Sequence, residues 1–87
     1  MSYAVLKNKG NILFPGQVSN DQFFLLIDIS PVRSDKVINA LQEYFVSGEK
    51  RKVICEKYQV NPGYLSIKIR EIQILSRRIL EMYPYFS

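Results

Sequence analysis

The 87-residue chain is 47% hydrophobic and carries a formal charge of +4, which is enough apolar material for one small core and too much for a disordered chain. It holds no histidine and one cysteine, Cys55; this removes the commonest general base and metal ligand and excludes an intrachain disulfide. The charge excess lies wholly in the second half: residues 1–47 balance four bases against four acids, whereas residues 48–87 set eight against four, the footprint of a polyanion partner.

In chain order, residues 1–18 read as an N-terminal arm. Turn signals at Asn8–Asn11 and Phe14-Pro15-Gly16 flank only Ile12-Leu13-Phe14, so the arm is expected either to dock its apolar residues or to form a short strand. Ser19-Asn20-Asp21-Gln22 fits a capping box, with the Ser19 hydroxyl accepting from the Gln22 amide and the Gln22 side chain reaching back. Phe23, Phe24, Leu25, Leu26, Ile27 and Ile29 follow. They cannot share one face of a helix. Two readings follow: a core helix wrapped by its neighbours, or a helix that also meets a second copy, with Phe23 and Phe24 as candidate contacts.

Pro31 ends this first helix. Ser34-Asp35 caps a second, whose stripe is Val37, Ile38, Leu41, Tyr44 and Phe45, with Asn39, Gln42 and Glu43 outward. Gly48 stops it. A third helix spans Glu49 to about Tyr58, with Val53, Ile54 and Tyr58 expected inward. Asn61 caps the fourth, Pro62 opens it, and Leu65, Ile69, Ile72, Leu75, Ile79 and Met82 give it a long apolar stripe ending before Pro84. The fold class is therefore all-α, with residues 19–87 forming one helical domain and residues 49–83 its helix-turn-helix. Tyr83, Tyr85 and Phe86 are expected to pack back onto the core.

The segment from Ile54 to Ile69 has the layout that two short helices need to pack steeply through a tight turn. Cys55 supplies the small residue where they meet, Val60 the buried turn residue, and Leu65 and Ile69 the anchors of the second helix. Gln59 stands where a glycine is often found, so it must accept a less comfortable backbone. The second helix of such a unit reads DNA with its outward N-terminal residues, here Asn61, Gly63, Tyr64, Ser66, Ile67, Lys68 and Arg70. Arg51 and Lys52 lie where the first helix would cross the sugar–phosphate backbone. Ile67 offers only apolar contact, which shifts the weight from base reading to phosphates and DNA shape. The competing reading is a helical hairpin whose bases form a solvated face; the chain would then be a protein-interaction adaptor using its first helix. Paired exposed aromatics, the usual RNA platform, are lacking outside the C-terminus.

Gln22-Phe23-Phe24-Leu25-Leu26-Ile27, Ser34-Asp35-Lys36-Val37-Ile38 and Arg51-Lys52 followed by Cys55-Glu56-Lys57-Tyr58-Gln59 resemble, in this order, the PapB-type regulators of fimbrial adhesin operons in enteric bacteria. The likeness covers about residues 10–83. It implies a transcription regulator, not an enzyme, that binds AT-rich double-stranded DNA as oligomers with minor-groove involvement. The family's DNA-binding positions fall on Arg51 and Cys55, and its oligomerisation positions on Glu43 and Val46. Pro62 stands where the family carries a polar residue. The expected DNA-binding set is thus Arg51, Lys52, Cys55, Asn61, Tyr64, Ser66, Lys68 and Arg70. The set for self-association is Phe23, Phe24, Glu43 and Val46. No metal, cofactor or catalytic residue is expected. One cysteine, no apolar leader and no span of about 20 apolar residues point to the cytoplasm and away from membranes.

Overall fold

A computed structural model describes residues 12–85, and these form an all-helical fold. Helix α1 runs Asn20–Ile29, α2 Asp35–Gln42, α3 Arg51–Tyr58 and α4 Pro62–Met82. A π-helical turn, Glu43–Ser47, continues α2, and a 3₁₀ turn, Tyr83–Tyr85, follows α4. The turn expected at Asn8–Asn11 and the residue Phe86 lie outside the described residues.

The caps explain where the helices begin. Ser19 Oγ accepts from the Gln22 amide at 3.1 Å, Ser34 Oγ from Val37, and Asn61 Oδ1 from Gly63 and Tyr64. Each satisfies amides that a helix start leaves without partners. Of the expected capping box, the Ser19 half forms, and Gln22 lines a groove with residues of α1 and α4. Helix α3 starts two residues later than expected. Lys50 is extended and gives no side-chain cap, while Glu49 Oε1 accepts from the Lys50 amide at 2.9 Å.

The core gathers one face of every helix. Phe23, Leu41, Phe45, Ile54, Leu65 and Ile72 are fully buried, and Phe23 and Phe45 pack with ring centroids 6.4 Å apart. Truncating such a phenylalanine to alanine costs about 3–5 kcal/mol. Phe23 is therefore a core residue and cannot serve as a contact to a second copy. Phe24, Leu25 and Ile29, on the other side of α1, are exposed; the chain buries half of this apolar helix and leaves half in solvent. Val53 is exposed too, because the short α3 turns only Ile54 and Cys55 fully inward. At the far end, Ile79, Met82, Tyr83 and Tyr85 are exposed. Helix α4 is about 31 Å long at 1.5 Å per residue and outruns the core, so its terminal aromatics do not fold back.

The described part of the arm docks without forming a strand. Gln17 N–H donates to Phe14 O at 3.0 Å, closing a turn around Pro15 and Gly16, whose φ is +75°. Gly16 and Val18 then donate to Phe45 O at 2.9 and 3.1 Å. The widened π turn supplies this acceptor. On the other side, the Gln73 side chain pairs with the backbone of Leu13, its oxygen accepting from Leu13 N–H (2.8 Å) and its nitrogen donating to Leu13 O (2.7 Å). The arm is thus held between the end of α2 and the middle of α4.

Candidate nucleic-acid interface

Helices α3 and α4 meet through Gln59 and Val60. Gln59 takes φ 55° and ψ 49°, the left-handed conformation that a residue replacing the turn glycine must adopt. Its side chain compensates by donating to Glu56 O at 2.8 Å, and its carbonyl accepts from Lys36 Nζ at 3.3 Å. Val60 is buried beneath the turn, with its amide on Cys55 O at 3.0 Å. Leu65 and Ile69 are buried as anchors of α4. The two helices, the buried turn residue and the anchors that the spacing predicts are present.

Arg51 opens α3 and reaches across to α4. Its Nη1 donates to Ser66 Oγ at 2.9 Å, and its guanidinium lies 5.3 Å from the centre of the Tyr44 ring. Its Nη2 also donates to the Tyr44 hydroxyl at 3.5 Å, and this contact with the tyrosine and the bond to Ser66 orient the fork without neutralising it. The ion pairs among the described residues are Glu43–Lys57 and Glu71–Lys68, and neither involves an arginine. Lys52 and Arg70 are exposed beside Arg51. No cluster among the described residues has the makeup of a metal site.

A family model described as PapB, adhesin biosynthesis transcription regulatory protein, matches residues 1–86. The chain belongs to the PapB family. It is 53% identical to the regulatory protein FanB of Escherichia coli over 79 residues, 91% of this chain and 80% of FanB. It is 41% identical to the pilus-subunit operon regulatory protein PapB of Escherichia coli over 83 residues, 95% of this chain and 80% of PapB. Its fold is similar to the crystal structure of Escherichia coli FocB, with a TM-score of 0.82, 43% identity and coverage of 95% and 94% of the two chains. Membership places it among transcription regulators of adhesin biosynthesis and not among enzymes.

Within this PapB-family fold, the expected contact residues fall into distinct groups. Arg51 and Ser66 are joined directly, and Lys52, Tyr64 and Arg70 are exposed around them. Asn61 has its amide oxygen committed to the α4 cap, so only its NH2 group is left for a partner. Lys68 is half-buried, paired with Glu71 at 3.2 Å and placed 5.3 Å from the Tyr64 ring centre. Cys55 is 9% exposed. It lines a cleft of about 350 Å³ with Arg51, Lys52, Glu56, Pro62 and Ser66. This is the small-residue place that the spacing assigns to it, where the two helices approach.

The residues expected to drive self-association are also divided. Phe24 is exposed and Val46 half-buried, but Phe23 is internal. Glu43, expected to face outward, turns toward α3, where its carboxylate accepts from Lys57 Nζ at 2.7 Å and from the Tyr58 hydroxyl. These two bonds, with the charge of Lys57, hold Glu43 below the ordinary carboxylate value of 4.5. The same contacts raise Lys57 and Tyr58. Sequence reading missed Tyr44 as the platform under Arg51, having placed it on the core stripe. It also missed Arg77, which lines a second cleft with Arg51 and Arg70. Its seven-residue spacing from Arg70 was the available signal.

Proposed function

We propose that this regulator acts in the cytoplasm by binding AT-rich double-stranded DNA through α3 and the first half of α4, with several copies side by side. In this reading residues 19–87 are the DNA-binding domain and residues 1–18 its N-terminal arm. The observation that carries it is Arg51, held at the α3–α4 junction by Ser66 and Tyr44 with no carboxylate on it. A guanidinium oriented but not neutralised is ready for a phosphate. Lys52, Tyr64, Ser66 and Arg70 extend the contact, and Ile67, 57% exposed, leaves the base-facing surface poor in hydrogen-bonding groups. Selectivity then comes from groove width and deformability more than from a base code, which suits narrow AT-rich minor grooves. Self-association is supported by the exposed α1 stripe of Phe24, Leu25 and Ile29. No helix among the described residues is long and apolar enough to cross a membrane.

The test is a salt titration of binding to an AT-rich duplex. Each phosphate neutralised adds about −0.9 to the slope of log K against log salt. Arg51→Ala should weaken binding at least tenfold and make the slope shallower by about 0.9. Binding that ignores salt, or survives Arg51→Ala unchanged, sinks the proposal. A drug that fills the minor groove should compete; failure to compete removes only the minor-groove part. The adaptor reading rests on the same α1 stripe and predicts that Arg51→Ala leaves function intact.

A further inference from the structure

The α4 face behind Arg51 continues well past the part of a recognition helix that ordinarily meets bases. Ser66, Arg70, Gln73 and Arg77 follow one another at four-, three- and four-residue steps, so they share one stripe. With Tyr44 and Arg51 they line a cleft of about 390 Å³. Among the described residues, three arginines and no Asp or Glu line it. The carboxylates that form ion pairs among the described residues are engaged elsewhere, Glu43 by Lys57 and Glu71 by Lys68. Arginines gathered without an acid repel one another, and an anion laid between them relieves that repulsion. Gln73 does not compete for the ligand, because both ends of its amide are bonded to Leu13; it acts as a wall.

We infer that Arg77 is a DNA-backbone contact, and that the Arg51–Arg70–Arg77 cleft carries a run of phosphates of one strand along α4. The inference rests on the DNA-binding reading and extends it. Arg70 and Arg77 are two helical turns apart, roughly 10.5 Å. B-form DNA rises about 3.4 Å per phosphate along the duplex axis; because each strand winds around that axis, neighbouring phosphates lie farther apart than this, and the separation is enough for Arg70 and Arg77 to meet different phosphates of one strand. Arg77 also lies roughly 22 Å along the axis from Pro62. Contact at both ends requires α4 to lie along the backbone and not to enter the groove end-on. Arg78 is a built-in control. It has the same charge, is exposed like Arg77, and is adjacent in sequence, but it is turned about a quarter of a circle away and does not line the cleft.

The experiment compares Arg77→Ala, Arg77→Lys and Arg78→Ala with the native chain, by salt-dependent binding to an AT-rich duplex and by thermal melting. Arg77→Ala should raise Kd about five- to tenfold near 0.1 M salt and make the log–log slope shallower by about 0.9. Arg77→Lys should restore the slope, and Arg78→Ala should keep the native slope. The melts of all three should match the native chain. Equal effects of Arg77→Ala and Arg78→Ala, or a native slope in Arg77→Ala, overturn the inference while leaving the DNA reading in place. No salt-dependent binding by the native chain overturns both.

Discussion

Gln59 carries the helix-turn-helix through a conformation that costs an ordinary L-residue about 1–2 kcal/mol. Its bond to Glu56 O and the contact from Lys36 offset part of that cost. A β-branched side chain at φ 55° adds further crowding. Gln59→Val should therefore destabilise the fold by about 1–2 kcal/mol, a drop in Tm of several degrees for a chain of this size, whereas Gln59→Gly should melt close to the native chain. Glu43 governs a different condition. Its carboxyl titrates below 4.5 in the fold, chiefly because Lys57 and then Tyr58 hydrogen-bond to it. A group depressed by folding contributes stability above its unfolded value and loses it as pH falls through the folded one. Chemical denaturation between about pH 6 and pH 3 should show native stability falling at the acid end. Glu43→Gln, which cannot ionise, should fall less steeply over that window and start from a lower value near neutral pH. Parallel curves would show that the Glu43 contact is not held in solution.

At the scale of elements, the π turn and the arm depend on each other. Gly16 and Gly48 both have φ +75°, and their backbones nearly touch: a Cβ on Gly48 would lie 3.1 Å from the Gly16 Cα. Neither the backbone angle nor the space suits a side chain. Gly48→Ala should cost about 1–2 kcal/mol or more, and melting will report it. Gln73 controls the other side of the arm. It replaces the bonds that a neighbouring strand would make with Leu13, so Gln73→Ala leaves a half-buried amide and carbonyl without partners. The expected loss is about 1–2 kcal/mol, concentrated in the arm. Hydrogen exchange should quicken at Leu13, Gly16 and Val18, while the buried helical amides of Ile54 and Ile72 keep their protection. Uniform acceleration would show that the arm and the core open as one unit.

At the scale of the molecule, the charged and apolar surfaces lie in different clefts. The arginines converge where α3 meets α4 and along α4, while Phe24, Leu25 and Ile29 are exposed on α1. Beside them runs an apolar groove of about 440 Å³, lined by Phe14, Leu25, Ile29 and Ile79 among others. Under the proposed function, this separation leaves one surface for DNA and the other for a neighbouring copy. Leu25 is 69% exposed, so replacing it with a charge should spare the fold. Leu25→Glu should abolish self-association in sedimentation and remove cooperativity on a long AT-rich duplex. Single-site binding and its salt slope should persist. Unchanged sedimentation would exclude the α1 stripe as the surface of assembly.

Much of this was legible in the residues because the signals are local. Apolar periods of three and four residues encode which face a helix hides, and Ser19, Ser34 and Asn61 encode where helices begin. The helix-turn-helix spacing from Cys55 to Ile69 and the uncomfortable backbone at Gln59 were visible for the same reason: each depends on neighbours within a few turns. Contacts between distant segments had no such signal. Leu13 and Gln73 meet across 60 residues. Tyr44 lies under Arg51, Glu43 turns toward α3, and Phe23 is buried while Phe24 is not, because the packing angles of the helices choose among several apolar faces. The sequence by itself determined a basic, all-helical regulator with its charge in the second half. Only the tertiary structure decided which arginines share a cleft, because side chains far apart in the chain converge only after the core has set the helix axes.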